Sequence, residues 1–508
     1  MSEDFGFEIE SKAAMGRIGS LEVGDKTVQT PALMPVINPH LTRPDISEAQ
    51  ILITNAYIIN KSDDYREKAV EDGLHDTLDF DGVVVTDSGS YQMSVYGEEE
   101  VTLSNRETVE FQVNIGTDIA TPLDIPTPPD SSHETAGDDW ETTLSRIKEA
   151  REILSELDAK AGLNVPVQGS THPDLRERAG REASGLGDIY PVGAVVPLMQ
   201  EYRFSDLVDV VAAAKRGLDS DAPVHLFGAG HPMVFSLAVA VGCDLFDSAA
   251  YALYAEDGRY ITPEGTEYVD DLRELPCSCE VCVSHDVDDL RDSLSLLAQH
   301  NLNVSFAEMR RVRQAVREGN LIELVEQRCR SHPKLLDGLR SFGDHADQIE
   351  KYDPSSKSTV FSLGLGRRPE VVRHHRRLDR IDVDDGDRIL VVPATDYLED
   401  GWEDELDIYT GDFDTVLRLL PPLGPYPKEL SHTYPFNAEV PEEPSHDEVG
   451  AVYEGVLRLV RLHDTDAVLV SPWDHPLLGE IEDECVDVIR RSNGSKTRNS
   501  NTETEQQT

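Results

Sequence analysis

Short apolar strands alternate with amphipathic helices along residues 1–345, and this alternation constrains the fold more than any other feature. It is typical of a parallel sheet, because a helix must return the chain between parallel strands. About eight such units in roughly 250 residues favour a (β/α)8 barrel of the TIM type over an open sheet. The predicted strands are Pro31–Ile37, Ile51–Ile59, Gly82–Thr86, Thr117–Leu123, Val165–Gln168, Ile189–Val196, Pro223–Phe227 and Leu245–Phe246, and the predicted helices include Trp140–Leu157, Phe204–Gly217 and Met233–Gly242.

Polar side chains lie where several of these strands end. Asp87 and Asp247 each follow a strand, and Asp124 and Gln168 each end one. In a barrel the carboxyl ends of all strands share one face, and active sites are built there. We therefore expect these four side chains to share one site.

The chain divides by composition into regions of different character. Residues 1–345 are the predicted barrel, and the polar stretch 346–358 predicts a linker. Residues 359–490 predict a smaller region of mixed α and β structure, with strands at Arg388–Pro393 and Ala467–Val470 and a helix at His446–Leu462. Residues 491–508 are almost entirely polar, which predicts a disordered tail.

The net charge is strongly negative. Asp and Glu number 97 against 46 Lys and Arg, which gives −51. Such a chain repels nucleic acid in dilute salt. The acids are spread along the whole chain, however, as in halophilic proteins, and at molar salt the Debye length is only about 3 Å. The charge therefore does not exclude nucleic-acid binding, but it requires a local basic site.

Two segments could supply positive charge. Gly366–Arg380 is dense in arginine and histidine, and Arg328–Lys334 is a smaller cluster. Phosphate binding is one interpretation. A solvated helix face balanced by nearby acids is the other, and the sequence leaves both open.

Three of the six cysteines, Cys277, Cys279 and Cys282, lie within six residues. The chain has no run of about 18 apolar residues and no secretory signal, so we expect a cytoplasmic protein without membrane contact. Disulfides are rare in the cytoplasm, so we expect the cysteines to form a metal site. Tetrahedral zinc needs a fourth ligand. His300 is the best candidate, because His285 follows Cys282 too closely. Such a closed set predicts one structural zinc, and unligated cysteines are the alternative.

Asp87 and Asp247 are the candidate catalytic residues. Two carboxylates at one barrel mouth can act as nucleophile and general acid/base, as in a retaining glycosyl transfer through a covalent sugar–enzyme intermediate. Alternatively, either aspartate could cap the helix that follows it.

Several motifs resemble known proteins. The segments Thr86–Gln92 and Gly242–Ser248 and the Cys3His set resemble the tRNA-guanine transglycosylases. The resemblance implies a zinc-bearing (β/α)8 barrel that exchanges guanine 15 of the tRNA D-loop for 7-cyano-7-deazaguanine (preQ0), the first step towards archaeosine. The segments that resemble the archaeal branch in particular are Leu123–Pro126, Gly193–Leu198 and Leu420–Leu430.

The resemblance also implies roles for the site residues. Asp247 resembles the carboxylate that attacks C1′ of the ribose, and Asp87 resembles the one that binds the base and moves its proton. The reverse assignment has also been made in the family and stays open. Asp124 matches the acid that recognises the base, and Tyr91 would stack on it. The remaining residues that would line the base pocket are Gln168, Gly169, Ala194 and Val196.

The implied partners are tRNA, with preQ0 as substrate and guanine as product. Family members are often homodimers. Many archaeal members end in a small RNA-binding domain of the PUA type, and no such domain is apparent before the polar tail. Either another chain supplies such a domain, or residues 359–490 suffice to contact the tRNA.

Three other functions fit the sequence less well. The paralogue that completes archaeosine carries a Pro-Cys-x-x-Lys-Pro-Tyr motif, which Pro276–Cys279 does not match. A non-catalytic tRNA-binding subunit should lack one of the two aspartates, and both are present. A retaining glycosidase on a barrel would not need the cysteine cluster.

Overall fold

The computed structural model describes residues 5–490 except 39–40, 92–102, 355–367, 385, 395–412, 439, 442, 464–465 and 485. The chain divides into two compact units, residues 1–359 and residues 360–508, and each is described by itself. The predicted disordered tail at 491–508 lies outside the described residues, as does part of the predicted linker. None of the described helices is long and apolar enough to cross a membrane.

The described residues of the first unit include a sheet of eight parallel strands, which confirms the predicted barrel. The strands pair in the order β8-β7-β6-β5-β4-β11-β10-β9. Two parallel bridges, Asn164 with Ile189 and Val167 with Val192, join the two edges and close the sheet. The strands are β4 (Ala32–Ile37), β5 (Ile51–Asn55), β6 (Val83–Asp87), β7 (Ile119–Ala120), β8 (Gly162–Leu163), β9 (Tyr190–Val192), β10 (Val224–Leu226) and β11 (Leu245–Ser248).

The barrel strands are short and apolar because they are buried on both faces, so they do not alternate between polar and apolar residues. All five residues of β5 are buried, as are the three residues of β9 and of β10. Side chains from most of the strands meet in one core cluster that includes Met34, Ile53, Val85, Ile119 and Leu245. This core fixes the strand ends, and with them the polar residues that follow.

Residues 5–30 form a three-stranded antiparallel sheet that the sequence analysis did not predict. Its strands are β1 (Phe5–Ala13), β2 (Gly16–Val23) and β3 (Lys26–Thr30). Phe5 packs against Gly162, where β8 begins, and Lys26 donates to the carbonyl of Gly82, just before β6. The sheet therefore covers the amino ends of the barrel strands, opposite the face where the polar residues lie.

Several predicted strands have different bounds in the structure, and two of them show the reason. Ile51–Ile59 is a strand only as far as Asn55, whose side chain accepts a hydrogen bond from the Ile58 N–H and so begins a helix at Ala56. Its apolar residues continue into a buried helix, and periodicity does not separate the two. Val165–Gln168 lies just after the short strand β8 and joins the barrel through the bridge at Val167.

The helices of the barrel layer follow the strands. Phe204–Gly217 has the predicted bounds, and the predicted helix Trp140–Leu157 begins earlier, at His133, because Ser132 caps it. A β-hairpin, β12 (Arg259–Thr262) and β13 (Gly265–Tyr268), follows the last of these helices. The helices are Ala56–Lys61, Asp63–Asp72, Leu74–Leu78, Asn105–Asn114, His133–Glu156, Pro173–Ala183, Val196–Gln200, Phe204–Gly217, Pro232–Ala240 and Ala250–Glu256.

A run of helices ends the first unit. The predicted linker begins here as a helix, Ala346–Tyr352, because Ile349 is buried and the Gln348 amide donates to the carbonyl of Ala212. That part of the stretch therefore packs on the barrel unit. The preceding helices are Glu280–Ser284, Val287–Asp292, Leu294–Glu318, Leu321–Cys329 and Pro333–Asp344.

The described residues of the second unit form a five-stranded sheet with helices. The strand order is β16-β15-β14-β17-β18, and all pairs are parallel except β15 with β16. The helix His446–Leu462 has the predicted bounds and packs its buried Val452, Val456 and Leu459 into the core. The elements are β14 (Arg388–Pro393), β15 (Thr415–Leu420), β16 (Gly424–Pro427), β17 (Asp466–Ser471) and β18 (Val486–Arg490), with helices Pro369–His375 and Leu477–Asp483.

Candidate active site

A cavity of about 560 Å³ opens at the carboxyl ends of the barrel strands. It brings together seven of the eight side chains predicted for catalysis or base binding: Asp87, Tyr91, Asp124, Gln168, Ala194, Val196 and Asp247. Gly169 does not line it, although its neighbour Gln168 does. The other lining residues are Val36, Asn38, Leu41, Ile53, Thr54, Asn55, Ile58, Ser90, Pro126, Pro128, Gly193, Pro197, Phe227, Gly228, Ala249 and Leu253.

Asp87 is the last residue of β6. Its carboxylate accepts a hydrogen bond of 2.7 Å from the Asn55 side-chain amide, at the end of the neighbouring strand β5. It also accepts one from the backbone N–H of Gly89. Gly89 has φ +86°, and a side chain there would lie 2.4 Å from Cβ of Tyr57, so this turn requires glycine. The polar groups that hold Asp87 thus come from the strand ends.

The pKa of Asp87 is raised to about 7. The main cause is burial, which disfavours the charged form, and the negative charges of Asp124 and Asp247 add to it. The hydrogen bonds from Gly89 and Asn55 act in the opposite direction. A carboxyl group with this pKa can hold or release a proton near neutral pH, as an acid/base group must.

Asp124 is held by two neighbours. Its backbone N–H donates to Ser90 Oγ at 3.0 Å, and its Oδ2 accepts a hydrogen bond of 2.6 Å from Gln168 Nε2. Burial raises the pKa of Asp124, and the hydrogen bonds from Gln168 and Ser90 oppose the rise. Gly193 packs directly on Gln168, because a side chain at 193 would lie 2.2 Å from Gln168 Nε2. Gln168 therefore has a fixed position beside Asp124.

The loop that carries Ala194 is fixed from behind by a buried arginine that the sequence analysis did not single out. Arg176 is fully buried and donates to the carbonyls of Val167, Ser170 and Gly193 at 2.6, 2.8 and 2.9 Å. Burial lowers its pKa to about 9. Ala194 itself has φ +59°, a conformation that residues with a side chain seldom adopt. The guanidinium ties together the two loops that supply Gln168 and Ala194.

Asp247 lies in β11 and is 6% exposed. Its Oδ1 accepts two hydrogen bonds, from His225 Nε2–H at 2.7 Å and from the Gly228 N–H at 2.5 Å. Gly230 packs on the same residue, because a side chain there would lie 2.4 Å from the Asp247 carbonyl oxygen. Asp247 is therefore held in place by its neighbours and does not cap the next helix, whose residue Ala250 donates to Ser248 Oγ.

The cysteine cluster assembles away from this cavity. Ligand atoms of Cys277, Cys279, Cys282 and His300 all lie within 4.8 Å of one another. His300 Nδ1 lies 3.2 Å from Cys282 Sγ and 3.5 Å from Cys279 Sγ, while its Nε2 bonds to the Ile261 carbonyl. This bond fixes the tautomer that leaves Nδ1 free to bind a metal. The four residues could hold a metal ion.

His285, the nearer candidate ligand, lies outside the cluster. Its Nδ1 bonds to the Val281 carbonyl at 3.0 Å. Tyr260 stacks on the His300 ring with centroids 3.7 Å apart, and its hydroxyl lies 3.4 Å from Cys282 Sγ. The ring and hydroxyl of one tyrosine thus support two of the four candidate ligands.

The two basic segments are partly interior. In the second unit Arg368 and Arg373 are buried, and Arg368 lies 3.4 Å from the buried Glu370. In the first unit Arg328 is 9% exposed and paired with Glu308 at 2.8 Å. The exposed cations of the described residues in these segments are Arg330, Lys334, Arg376, Arg377 and Arg380, whereas Gly366 and Arg367 lie outside the described part.

Comparison with known proteins identifies the family. Residues 12–334, more than half of the chain, match the family described as queuine tRNA-ribosyltransferase. The chain belongs to the tRNA-guanine transglycosylase family. A transglycosylase of this family is a pentosyltransferase that acts on tRNA.

Curated relatives match this chain over nearly its whole length. The tRNA-guanine(15) transglycosylase of Haloferax volcanii is 50% identical over 92% of this chain and 91% of its own length. That of Haloarcula marismortui is 48% identical over 94% and 97%. The protein of the same name from Methanobrevibacter smithii is 47% identical over 85% of this chain but only 68% of its own length. The two halophilic relatives fit the acidic composition of this transglycosylase.

Proposed function

We propose that this transglycosylase replaces guanine at position 15 of the tRNA D-loop with preQ0, through a covalent ribosyl–enzyme intermediate, in archaeosine biosynthesis. The position is supported by the names of the relatives from Haloferax volcanii and Haloarcula marismortui. The choice of preQ0 as the incoming base is supported by the family resemblance and by an acid in the pocket that suits the edge of a guanine-like ring.

One observation carries the mechanism: Asp87 and Asp247 line one cavity but have different surroundings. Asp87 has a pKa of about 7, because it is buried near two other carboxylates. Asp247 is held through Oδ1 by an N–H of His225 and the N–H of Gly228. Carboxyl groups whose environments differ in this way divide into acid and nucleophile.

In the first step Asp247 attacks C1′ of the ribose. A bond forms between its carboxylate oxygen and C1′, and the bond from C1′ to N9 of guanine breaks. The electron pair of the broken bond goes to guanine, and protonated Asp87 supplies the proton that makes guanine a better leaving group.

The second step reverses the first with the new base. Asp87, now a carboxylate, takes the N9 proton of preQ0 while N9 attacks C1′. The bond from C1′ to Asp247 breaks, and the electron pair returns to its carboxylate. One N-glycosidic bond replaces another of similar energy, so the exchange needs no nucleotide cofactor.

Asp124 would recognise the base. A carboxylate can accept two hydrogen bonds from the N1–H and the exocyclic amine of a guanine-like ring, a charge-assisted contact. Gln168 Nε2 donates to Oδ2 of Asp124 and so orients that carboxylate. The backbone around Ala194 would meet the other edge of the ring, and Tyr91, 47% exposed at the cavity, would stack on its face.

The target guanine must leave its stack to reach the three carboxylates. Enzymes that act on a base within folded nucleic acid extrude it into a pocket. A cavity of about 560 Å³ has the size of a small-molecule site. It would admit one base and its ribose.

The Cys3His cluster would hold one structural zinc. Three thiolates and an imidazole are a preferred zinc set, and a full set of four protein ligands leaves no position for water. The ion would tie Cys277–Cys282 to the helix Leu294–Glu318 and stabilise the fold. The aspartates, and not the ion, would carry out the transfer chemistry.

Base exchange in purified archaeal tRNA at high salt tests the proposal. Radiolabelled preQ0, guanine and the related amine preQ1 are compared, and the labelled nucleotide is mapped. We expect preQ0 to be incorporated at position 15 in preference to preQ1. No incorporation of preQ0, or a label at another position, would overturn the proposal. Asp63→Asn is the control for substitution of an aspartate, because Asp63 has an 80% exposed side chain.

A further inference from the structure

An aromatic surface lies beside the cavity and has no part in the mechanism above. It combines exposed or half-buried rings with one arginine, whereas the protein surface as a whole is dominated by acids. We call it the tyrosine surface, and its members are Tyr202, Tyr254, Arg259, Tyr268 and His332.

Tyr202 and His332 form the first part. Their rings are stacked, with centroids 4.8 Å apart and an angle of 18° between planes. Tyr202 is 48% exposed and has φ +56°. A bulky residue in the left-handed region is strained, and strain of this kind accumulates at functional positions. The strained backbone holds an aromatic ring at the surface, where burial cannot compensate for the strain.

Tyr254, Arg259 and Tyr268 form the second part. The Arg259 guanidinium lies over the ring of Tyr254 at 5.2 Å and over that of Tyr268 at 5.6 Å. Arg259 and Tyr268 are opposite each other in the β12–β13 hairpin, and Tyr268 is 52% exposed. Arg259 Nε has no hydrogen-bond partner among the described residues. The same nitrogen forms a long ion pair with Asp257, at 3.9 Å.

Both parts adjoin the cavity. Tyr254 and Tyr202 are near enough to interact electrostatically. Leu253, the residue before Tyr254, lines the cavity and is 45% exposed. Val196 and Pro197, which also line it, begin the helix Val196–Gln200 that leads to Tyr202. The tyrosine surface therefore starts at the cavity mouth.

We propose that the tyrosine surface binds the tRNA strand that flanks the extruded guanine. When one base leaves its stack, its neighbours lose a partner, and aromatic rings at the cavity mouth can replace that partner. Arg259, already between two rings, can stack on a base or contact a phosphate. The inference rests on the proposed function, since it takes tRNA as the substrate.

The charge of the protein favours rings over cations as the means of binding. With a net charge of −51 the enzyme is adapted to high salt, where ion pairs with phosphate are screened. Stacking does not depend on an unscreened charge. Aromatic residues therefore keep their affinity for RNA under conditions in which a lysine patch loses most of its own.

The test measures tRNA binding and exchange at high salt for Tyr202→Ala and Tyr254→Ala. We expect the KM for tRNA, and the Kd measured directly, to rise about tenfold, as for loss of one base–aromatic stack. The KM for preQ0 and kcat should stay unchanged. Tyr202→Phe keeps the ring and should bind like wild type. Leu157→Ala removes another exposed apolar side chain, 45% exposed, from the opposite end of the barrel and is the matched control.

Binding by Asp247→Asn separates this inference from the proposed function. If the wild type exchanges no base, the proposed function fails, while tRNA binding by Asp247→Asn with and without Tyr202→Ala still tests the surface. Unchanged tRNA affinity in both tyrosine variants would overturn the inference. It would also be overturned if Tyr202→Ala converted a dimer to a monomer, by light scattering, with tRNA affinity intact, because the surface would then bind a second copy.

Discussion

His225 Nε2 lies 2.7 Å from Oδ1 of Asp247, and both side chains are buried. The other ring nitrogen, Nδ1, has no hydrogen-bond partner among the described residues. The polar contact of this histidine is therefore made to the carboxylate proposed as the nucleophile. We interpret His225 as a positioning residue.

Replacement of His225 should slow the chemistry without weakening substrate binding. His225→Phe removes one of the two hydrogen bonds to Oδ1, so Asp247 is less well aimed at C1′. We expect kcat to fall about 100-fold, a typical cost of a small misplacement, with KM for preQ0 and tRNA unchanged. His225→Gln can still donate and should recover part of kcat. Steady-state kinetics measures both.

A second histidine–aspartate pair provides the control. His345 Nε2 bonds to Asp209 at 2.8 Å, and neither residue lines the cavity. His345→Phe should leave kcat near that of wild type. If kcat fell equally in the two phenylalanine variants, general destabilisation of the fold would explain the effect, and not the lost hydrogen bond that orients Asp247.

The pH dependence of guanine release should report Asp87. The proposed first step needs the protonated carboxyl group, whose pKa is about 7. The rate of guanine release in a single turnover should therefore fall as the pH rises through about 7. Asp87→Asn should release guanine slowly at every pH and should not show this fall in rate. A wild-type rate that stays constant from about pH 6 to about pH 8 would contradict the acid role.

The raised pKa of Asp87 also has a cost in stability. The pKa rises from 3.8 to about 7 on folding, so between these values the folded state binds a proton that the unfolded state has released. The stability contributed by this group therefore falls as the pH rises from about 4 to about 7. We expect the Tm of Asp87→Asn to exceed that of wild type at about pH 8 and to approach it at about pH 4. Calorimetry that finds the reverse order at the higher pH would refute this.

The three carboxylates of the candidate site could be predicted because of a rule of barrel geometry. Asp87, Asp124 and Asp247 follow apolar strands in the sequence, and carboxyl ends of barrel strands share one face. Asn55 obeys the same rule and was missed, because the strand was extended to Ile59 and the asparagine then stood inside it. A strand limited to five residues would have placed Asn55 beside Asp87.

Gly193→Ala should impair base recognition. The added methyl group would lie 2.2 Å from Gln168 Nε2 and displace the amide from Asp124. We expect KM for preQ0 to rise about tenfold, as for the loss of a charge-assisted hydrogen bond, with a smaller effect on KM for tRNA. Gly137→Ala is the control, since nothing lies within 4 Å of a side chain at that helix position. An unchanged KM for preQ0 in Gly193→Ala would show that Gln168 does not orient Asp124 for base recognition.

Loss of the metal should destabilise the first unit. Cys279→Ser weakens the ligand set, so metal content should drop from about one zinc per chain and the Tm should fall by several degrees. His285→Ala should retain the metal, because His285 bonds to the Val281 carbonyl outside the cluster. Metal analysis with calorimetry tests both variants. Full metal content and an unchanged Tm in Cys279→Ser would exclude a structural site.

The features that the sequence did not reveal depend on long-range contacts. The three-stranded sheet of residues 5–30 was not predicted, because the strand–helix alternation that indicates the barrel is absent from an antiparallel sheet. Arg176 looks like one more charge in an amphipathic helix, yet it reaches three carbonyls in loops 6 to 17 residues away. His225 lies within an apolar strand, and its role becomes visible only when β11 is paired beside it and brings Asp247 within hydrogen-bond distance.

The identity of the residue that forms the covalent bond to the ribose tests the central claim most directly. The enzyme is incubated with tRNA, denatured and digested, and the ribosylated peptide is sequenced by mass spectrometry. We predict an adduct on Asp247, absent from Asp247→Asn, which should also exchange no base. An adduct on Asp87, or normal exchange by Asp247→Asn, would contradict the account.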